Sequence, residues 1–415
     1  MNLLRSILIP LASQINDRGA KATLEKYKNF LKDIYQDLTP IITSSEDFSR
    51  FENKIKNADI LIAFSLTGGT RRFIVRLAEF KKPILILGYT KQNAFASAIG
   101  AHTILKRRNL PVLLNSTNEE DLVNKLKKHI RVLETYLKLK GQRILLIGIE
   151  KKLLENETIN VNNLKSLLNV DPIFMTLEEF IDIFNKVHPN EHVVEFFKRY
   201  TRDQNLIDEL TKASRVYTAL KEAMNKYNAS AVGIRCFEFI MKTCVTPCIA
   251  LSTLLSEGKI AGCEADLQAI ITMMMLNYTT GEVPFMGNIE ELKEDEIALA
   301  HCTVSKGFAD KILLKNHFET GKSVSIAGEI KAGTKLTFGR ISPDFDSLII
   351  GSGTVTEGSP WSDEFCRTQL RIQVDGNAKK LIDNPVGNHL VAIKGYHLDA
   401  IKELLDLLGI SYAAL

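Results

Sequence analysis

The sequence lacks two features that would assign it at once to a class: long apolar segments and a strong excess of charge. No stretch approaches the roughly 18 uninterrupted apolar residues of a membrane helix, and the opening MNLLRSILIP has no small-residue cleavage pattern. The 53 Lys and Arg residues nearly balance 49 Asp and Glu, and no basic motif is interleaved with aromatic residues. We therefore expect a soluble, cytoplasmic protein without a membrane or nucleic-acid partner.

The six cysteines form no CxxC pair, which disfavours a zinc or iron–sulfur site. Four of them lie between Cys236 and Cys263. Cys244 and Cys248 are one helical turn apart in an apolar segment, where buried thiols are common. A disulfide framework is unexpected in a chain of 415 residues, so we expect reduced thiols.

Hydrophobic patterning divides the chain into three predicted domains. Residues 1–140 alternate strand-like and helical runs, which predicts a parallel sheet with crossover helices. A second such unit over residues 141–288 begins with the apolar run Arg143–Ile149, and residues 289–415 contain short β-prone runs and a terminal helix. The predicted fold class is therefore α/β, with two parallel-sheet domains followed by a β-rich C-terminal domain.

Charge is distributed unevenly between these regions. The first 140 residues contain 24 basic and 13 acidic residues, whereas the remainder contains 29 and 36. This segregation is compatible with subunit contacts, with an anionic ligand near the N-terminal domain, or with a solvated lysine-rich surface.

Acidic residues follow two neighbouring predicted strands of the central domain. Glu238 comes just after the strand-like AVGI, with Arg235 beside it, and Glu264 and Asp266 open the apolar helix of CEADLQAIITMMML. Parallel sheets bind ligands at the carboxyl ends of their strands, so these carboxylates are candidates for a divalent cation site. Helix capping is the alternative for Glu264 and Asp266.

Two histidines are candidate imidazole ligands. His389 enters a predicted strand in NPVGNHLVAIKG, and His301 lies inside the run ALAHCTVS. An added imidazole would shift the preference from Mg²⁺ toward Mn²⁺ or a similar ion. Packing or turn formation is the alternative for both.

Two further motifs are candidates for binding. AFSLTGGTRR places a Gly-Gly turn between a strand and a helix, where backbone N–H groups and two arginines can receive an anion or a hydroxyl group. It matches neither the Walker pattern nor GxGxxG, and a tight turn is the alternative. The only tryptophan, Trp361, lies in SPWSDEFCRTQ, where Arg367 can reach a ligand or pair with a nearby carboxylate.

Together these motifs resemble the L-fucose isomerase and L-arabinose isomerase superfamily, particularly its shorter microbial members. The order of TGGT, KQNAFASAIGA, RILLIG, CEADLQAIITMMMLNYTTGEVPFMGNI, IALAHC and GNHLVAIKGYHLDAIKELLDLLGI carries the resemblance across most of the chain. It implies two Rossmann-like domains, a β-rich C-terminal domain, Mn²⁺ or another divalent cation, and a homo-oligomer. The sequence departs from the family where Asn388-His389 replaces paired histidines and where Arg71-Arg72 follows TGGT.

The resemblance implies a metal-dependent isomerase that interconverts an aldose and a ketose through an enediolate. Glu238 and Asp266 would be the acid–base pair, and together with His389 they would bind the metal. The alternatives are a non-catalytic sugar-binding protein and a related metal enzyme that acts on a phosphorylated or acidic sugar. The predicted substrate-binding residues are Arg235, Glu264, His301, Asn388, Thr67, Gly68, Gly69, Arg71, Asn93 and Trp361.

Overall fold

The chain folds into two compact units in a computed structural model that describes residues 4–415, apart from the side chains of residues 16–18. The first unit contains the described residues up to Leu137 together with Asp406–Leu408, and the second contains Lys138–Leu405 and Gly409–Leu415. The apolar run at the start of the sequence predicts a strand over Leu3–Ile9, and Leu3 lies outside the described residues. No helix among residues 4–415 is long and apolar enough to cross a bilayer.

The first unit is built on a five-stranded parallel sheet in the order β2-β1-β3-β4-β5. Its strands are β1 Ser6–Leu11, β2 Asp37–Leu38, β3 Ile60–Ser65, β4 Ile84–Gly88 and β5 Val112–Ser116. Its helices are α1 Asp17–Leu31, α2 Ser45–Arg50, α3 Glu52–Lys56, α4 Arg71–Arg76, α5 Ala94–Arg107 and α6 Leu122–Lys138, with 3-10 turns at Gln14–Asn16 and Leu77–Phe80.

Burial on both faces explains why the central strands of this sheet are continuous apolar runs. Every residue of β1, β3 and β4 is buried. A parallel sheet that is covered by helices on both faces requires this pattern rather than an alternating one.

The second unit begins with a four-stranded parallel sheet in the order β7-β6-β8-β9. Its strands are β6 Ile144–Ile147, β7 Ile173–Met175, β8 Ala231–Ile234 and β9 Ile260–Cys263. Its helices are α7 Lys151–Asn156, α8 Val161–Leu168, α9 Leu177–Lys186, α10 Glu191–Phe197, α11 Gln204–Lys226, α12 Cys236–Thr243, α13 Cys248–Ser256 and α14 Leu267–Thr280, with a 3-10 turn at Lys198–Tyr200.

A seven-stranded, mostly antiparallel sheet follows in the same unit, in the order β14-β17-β10-β11-β16-β15-β18. An additional pairing of β14 with β15 closes six of these strands into a barrel-like sheet. The strands are β10 Phe285–Leu292, β11 Glu296–His301, β14 Lys335–Ile341, β15 Ser347–Glu357, β16 Thr368–Val374, β17 His389–Lys394 and β18 Ser411–Ala414. A separate hairpin of β12 Lys311–Lys315 and β13 Ser325–Glu329, and the helices α15 Lys380–Asp383 and α16 Leu398–Leu408, complete the chain.

The predicted fold class is confirmed, because two parallel sheets precede a β-rich region. The division of residues 141–415 into two domains stays a prediction, since both sheets belong to one compact unit. Helix α14 lies between those sheets: it contacts β8 and β9 on one side and β10, β14 and β17 on the other. Residues at its amino terminus therefore meet side chains of both sheets.

Candidate active site

A cavity of about 270 Å³ lies where the carboxyl ends of β8 and β9 face the barrel-like sheet. Its polar lining comes from the end of α7, the segments after β8 and β9, the first turn of α14, strand β14 and the start of β17. The polar lining residues are Glu157, Arg235, Glu264, Asp266, Gln268, Arg340, Asn388 and His389.

A tight turn between β9 and α14 carries Glu264 into this cavity. Glu264 and Ala265 have left-handed φ values of 55° and 52°, an uncommon pair for residues with a Cβ. The Ala265 N–H donates to the Ile234 carbonyl at 3.1 Å, which fixes the turn against β8. Asp266 then caps α14, because its Oδ1 accepts from the Ala269 N–H at 2.8 Å.

Asp266 has no free acceptor site in this arrangement. In addition to the helix cap, its oxygens accept from Arg340 at 2.7 and 3.1 Å, and Oδ2 lies 2.8 Å from His389 Nδ1. Four hydrogen bonds use the roughly four lone-pair positions of a carboxylate. Burial alone would raise the pKa of Asp266, but Arg340 and His389 hold this pKa well below its usual range.

His389 is oriented by that carboxylate. Its ring is 1% exposed, with Nδ1 bonded to Asp266 and Nε2 3.6 Å from Glu264 Oε1. Burial would lower its pKa, but the hydrogen bond with Asp266 and the nearby Glu264 carboxylate raise the pKa of His389 to about 9. The same contact with His389 lowers the pKa of Glu264.

His301, at the end of β11, completes a cluster of three potential metal ligands. Its ring centroid lies 5.9 Å from that of His389, and ligand atoms of Glu264, His301 and His389 all lie within 4.8 Å of one another. Burial, followed by the nearby His389, lowers the pKa of His301 to about 4, so this imidazole is neutral at pH 7. The cluster can therefore bind a metal ion through one carboxylate and two imidazoles.

The ligand set predicted from the sequence shares only His389 with this cluster. Asp266 is saturated by protein donors, and Glu238 lies in the first turn of α12 rather than in a loop. The Arg235 Nε and Nη2 donate to Glu238 Oε1 at 2.9 and 2.6 Å, and the Glu238 side chain is 43% exposed. Arg235 itself lines the cavity, so it connects Glu238 to the edge of the site.

The other predicted binding residues fall into three groups. Asn388 is in the site, with Nδ2 3.5 Å from His389 Nε2. Trp361 does not line the cavity: its ring lies 4.5 Å from the Arg371 guanidinium carbon and packs against Phe365. The remaining predicted residues belong to the first unit, and all except Thr67 line a hollow there: Thr67, Gly68, Gly69, Arg71 and Asn93.

Arg340, which is 3% exposed and holds Asp266 in place, was not among the residues predicted for the site. It occupies β14, KLTFGRI, where an arginine in a largely apolar strand was the available signal. The second missed feature is that Glu264, which was expected to contact substrate, belongs to the cluster of potential metal ligands. The direction of the Glu264 side chain depends on a turn with two left-handed residues. The sequence CEAD does not indicate that turn.

No family model matches the chain. Among curated proteins, the chain is similar to one named sulfoquinovose isomerase from Alkalicoccus urumqiensis, with 22% identity over 284 residues. The match covers 63% of this chain and 63% of that relative, so less than two thirds of the relative's length is represented. The chain is thus similar, at a distance, to a protein named as an isomerase.

Proposed function

We propose that this protein is a metal-dependent isomerase that interconverts an aldose and a ketose. The observation that carries the proposal is the cluster of Glu264, His301 and His389, with His389 oriented by a saturated carboxylate. Glu264 and His389 also line the polar cavity. The similarity to a protein named as an isomerase supports the same reaction class.

The proposed metal ligands are Glu264, His301 and His389. An Asp266 bond to Nδ1 leaves Nε2 of His389 available for a cation, which is the usual way a carboxylate orients a histidine ligand. Two imidazoles favour Mn²⁺ or another first-row transition ion over Ca²⁺ or Mg²⁺. His301 Nδ1 accepts a 3.3 Å bond from the Thr303 N–H, and ligation through this ring requires release of that bond.

Isomerisation requires removal of a proton next to a carbonyl and its return to the adjacent carbon. A bound divalent cation supplies Lewis acidity for the negative charge that develops on the sugar oxygens. Glu238 is the proposed proton carrier, because its Oε1 is held by Arg235 while Oε2 makes no bond with the described residues. Asp266 acts through His389 as a positioning residue.

The proposed substrate is a small sugar. Sulfoquinovose is the first candidate to test, because the similar protein is named for it, and L-fucose and L-arabinose follow from the family resemblance. Homo-oligomerisation and a cytoplasmic location stay predictions.

The test is an isomerase assay on chelator-treated protein before and after Mn²⁺ is restored, with these three sugars and their ketose or aldose partners. We expect interconversion only after metal is restored. Glu264→Gln should lose both Mn²⁺ binding and turnover, whereas Glu238→Gln should keep Mn²⁺ binding and lose turnover. Lys186→Ala, on the exposed end of α9, is the control that should change neither.

Turnover that is unaffected by chelation would refute the metal proposal. Mn²⁺ binding without interconversion of any sugar would refute the isomerase proposal and favour a sugar-binding protein. An unchanged isomerisation rate for Glu238→Gln would show that Glu238 is not the proton carrier. It would not affect the assignment of the metal ligands.

A further inference from the structure

A second polar hollow, of about 720 Å³, lies in the first unit at the carboxyl ends of its parallel strands. Its lining includes Ser13 after β1, Gly69 and Arg71 after β3, and Asn93 after β4. In the sheet order β2-β1-β3-β4-β5, β2 is added on one side of β1, and β3, β4 and β5 are added on the other. The order of the strands therefore reverses between β1 and β3. In open parallel sheets, the crevice at such a reversal is the preferred ligand position.

Hydrogen-bond donors without acceptors converge on this hollow. Arg71 and Arg72 both line it, and neither has an ion pair or hydrogen bond with any residue that the structure describes. The Asn93 side chain makes no capping bond to α5, although Asn93 precedes that helix. The Ser97 hydroxyl oxygen accepts from the Gly69 N–H at 3.0 Å, which leaves its own proton available to donate.

The helix packed beside Arg71 is shaped to admit its side chain. Gly100 lies inside α5, and a Cβ at this position would stand 3.0 Å from Arg71 Cδ and 3.7 Å from Nη1. Glycine inside a helix destabilises that helix relative to alanine. Its presence here leaves room for the arginine next to the hollow.

We propose that this arginine pocket, formed by Ser13, Gly69, Arg71, Arg72, Asn93 and Ser97, binds a tetrahedral oxyanion, either free phosphate or a phosphate or sulfonate group of a larger ligand. Arginine donates paired N–H groups to such oxygens, and neutral donors complete the shell. The lining described by the structure contains no carboxylate that would compete for the guanidinium groups. The excess of basic residues in the first 140 positions favours the same charge sign.

Oxyanion binding stands on the pocket itself. It does not depend on the proposed isomerase function, so the two proposals can fail separately.

The test is calorimetric titration of the full chain, treated with chelator and at low ionic strength, with inorganic phosphate, glucose 6-phosphate and glucose. We expect both phosphates to bind and glucose not to bind at this pocket. Arg71→Ala should weaken phosphate binding by about tenfold or more, since one charge-assisted pair is lost. Arg50→Ala is the charge-matched control, because its side chain is 64% exposed and lies outside the lining.

Gly100→Ala distinguishes a pocket in which the position of Arg71 matters from a surface that binds phosphate only because it is basic. Alanine should stabilise α5 while displacing Arg71, so the pocket predicts a higher unfolding temperature with weaker phosphate binding. Phosphate binding unchanged in Arg71→Ala and Gly100→Ala, or absent from the unaltered protein, would overturn the proposal.

The two affinities identify the source of the oxyanion. Tighter binding of glucose 6-phosphate than of inorganic phosphate would support a sugar-bound group as the ligand, and equal affinities would support the free ion.

Discussion

Arg340 binds Asp266 through both carboxylate oxygens, at 2.7 and 3.1 Å, deep between the parallel sheet and the barrel-like sheet. The other Arg340 N–H groups donate to the carbonyls of Val386 and His389 and to Gln268 Oε1, so all five are used. Asp266 in turn bonds to His389, whose other nitrogen faces Glu264. The barrel-like sheet thus sets the direction of a proposed metal ligand through one buried ion pair.

Asp266→Asn should weaken Mn²⁺ binding by about 10- to 100-fold without unfolding the protein, because the amide presents an N–H group where His389 or Arg340 needs an acceptor. Calorimetric titration with Mn²⁺ measures the effect. The control is Asp182→Asn on the exposed face of α9, which should bind as the unaltered protein does. Unchanged Mn²⁺ affinity in Asp266→Asn would show that this carboxylate does not contribute to Mn²⁺ binding through His389.

Arg340→Met should lower the free energy of unfolding by about 3–5 kcal/mol, because it leaves Asp266 charged and poorly solvated. Urea denaturation measures the loss. The double variant Asp266→Leu/Arg340→Met should recover part of it, since both buried charges are then removed. A double variant that is as unstable as the sum of its parts would show that the pair is not coupled.

Mn²⁺ affinity should rise with pH up to about pH 9. The hydrogen bond to Asp266 and the nearby Glu264 carboxylate raise the pKa of His389 to about 9 in the metal-free protein, so this imidazole must lose a proton before it can bind a cation. His301, with a pKa of about 4, carries no proton to release at neutral pH. Between about pH 6 and about pH 8.5, the Mn²⁺ dissociation constant should fall about tenfold per pH unit.

Titrations in buffers with different ionisation enthalpies give the number of protons released on binding. We expect about one per Mn²⁺ bound. A dissociation constant independent of pH over this range would contradict the role of His389 as a ligand.

Local patterns were sufficient to predict the elements that are apolar on every face or strictly periodic. The sequence predicts strands over Ile84–Gly88, Lys335–Ile341 and His389–Lys394 and helices over Leu177–Lys186 and Leu398–Leu408, and β4, β14, β17, α9 and α16 have these bounds. Elements such as α7 and β12 were missed, because few apolar positions define them and their stability depends on neighbours distant in the chain.

The candidate site was predictable only in part for a related reason. Residue type and strand position identified Glu264, His301 and His389 as site residues, and these form the observed cluster. Which carboxylate is available to a metal ion depends on Arg340, which lies 74 positions after Asp266. Its hydrogen bonds help to occupy every acceptor position of Asp266. No spacing rule links two such positions, so the sequence assigned to Asp266 a role that the geometry favours for Glu264.

The turn that carries Glu264 depends on a glycine in the neighbouring strand, and this gives a test of how the site is built. A Cβ at Gly233 would stand 2.9 Å from the Ala265 backbone Cα and 2.7 Å from Ile270 Cδ1. At Gly262, in the adjacent strand, a Cβ would meet only the Ile270 side chain, at 2.7 Å. Side chains adjust more easily than a backbone turn that is bonded to β8.

Gly233→Ala should therefore lower the free energy of unfolding by about 1–3 kcal/mol and weaken Mn²⁺ binding, because the turn must move and takes Glu264 with it. Gly262→Ala is the matched control: it adds the same methyl group and should destabilise the fold while leaving Mn²⁺ affinity nearly unchanged. Urea denaturation and Mn²⁺ titration of both variants measure the two effects separately. Equal Mn²⁺ affinities in the two variants would mean that the position of Glu264 does not depend on the contact between Gly233 and the turn, and that the hydrogen bond from Ala265 to Ile234 is sufficient to hold it.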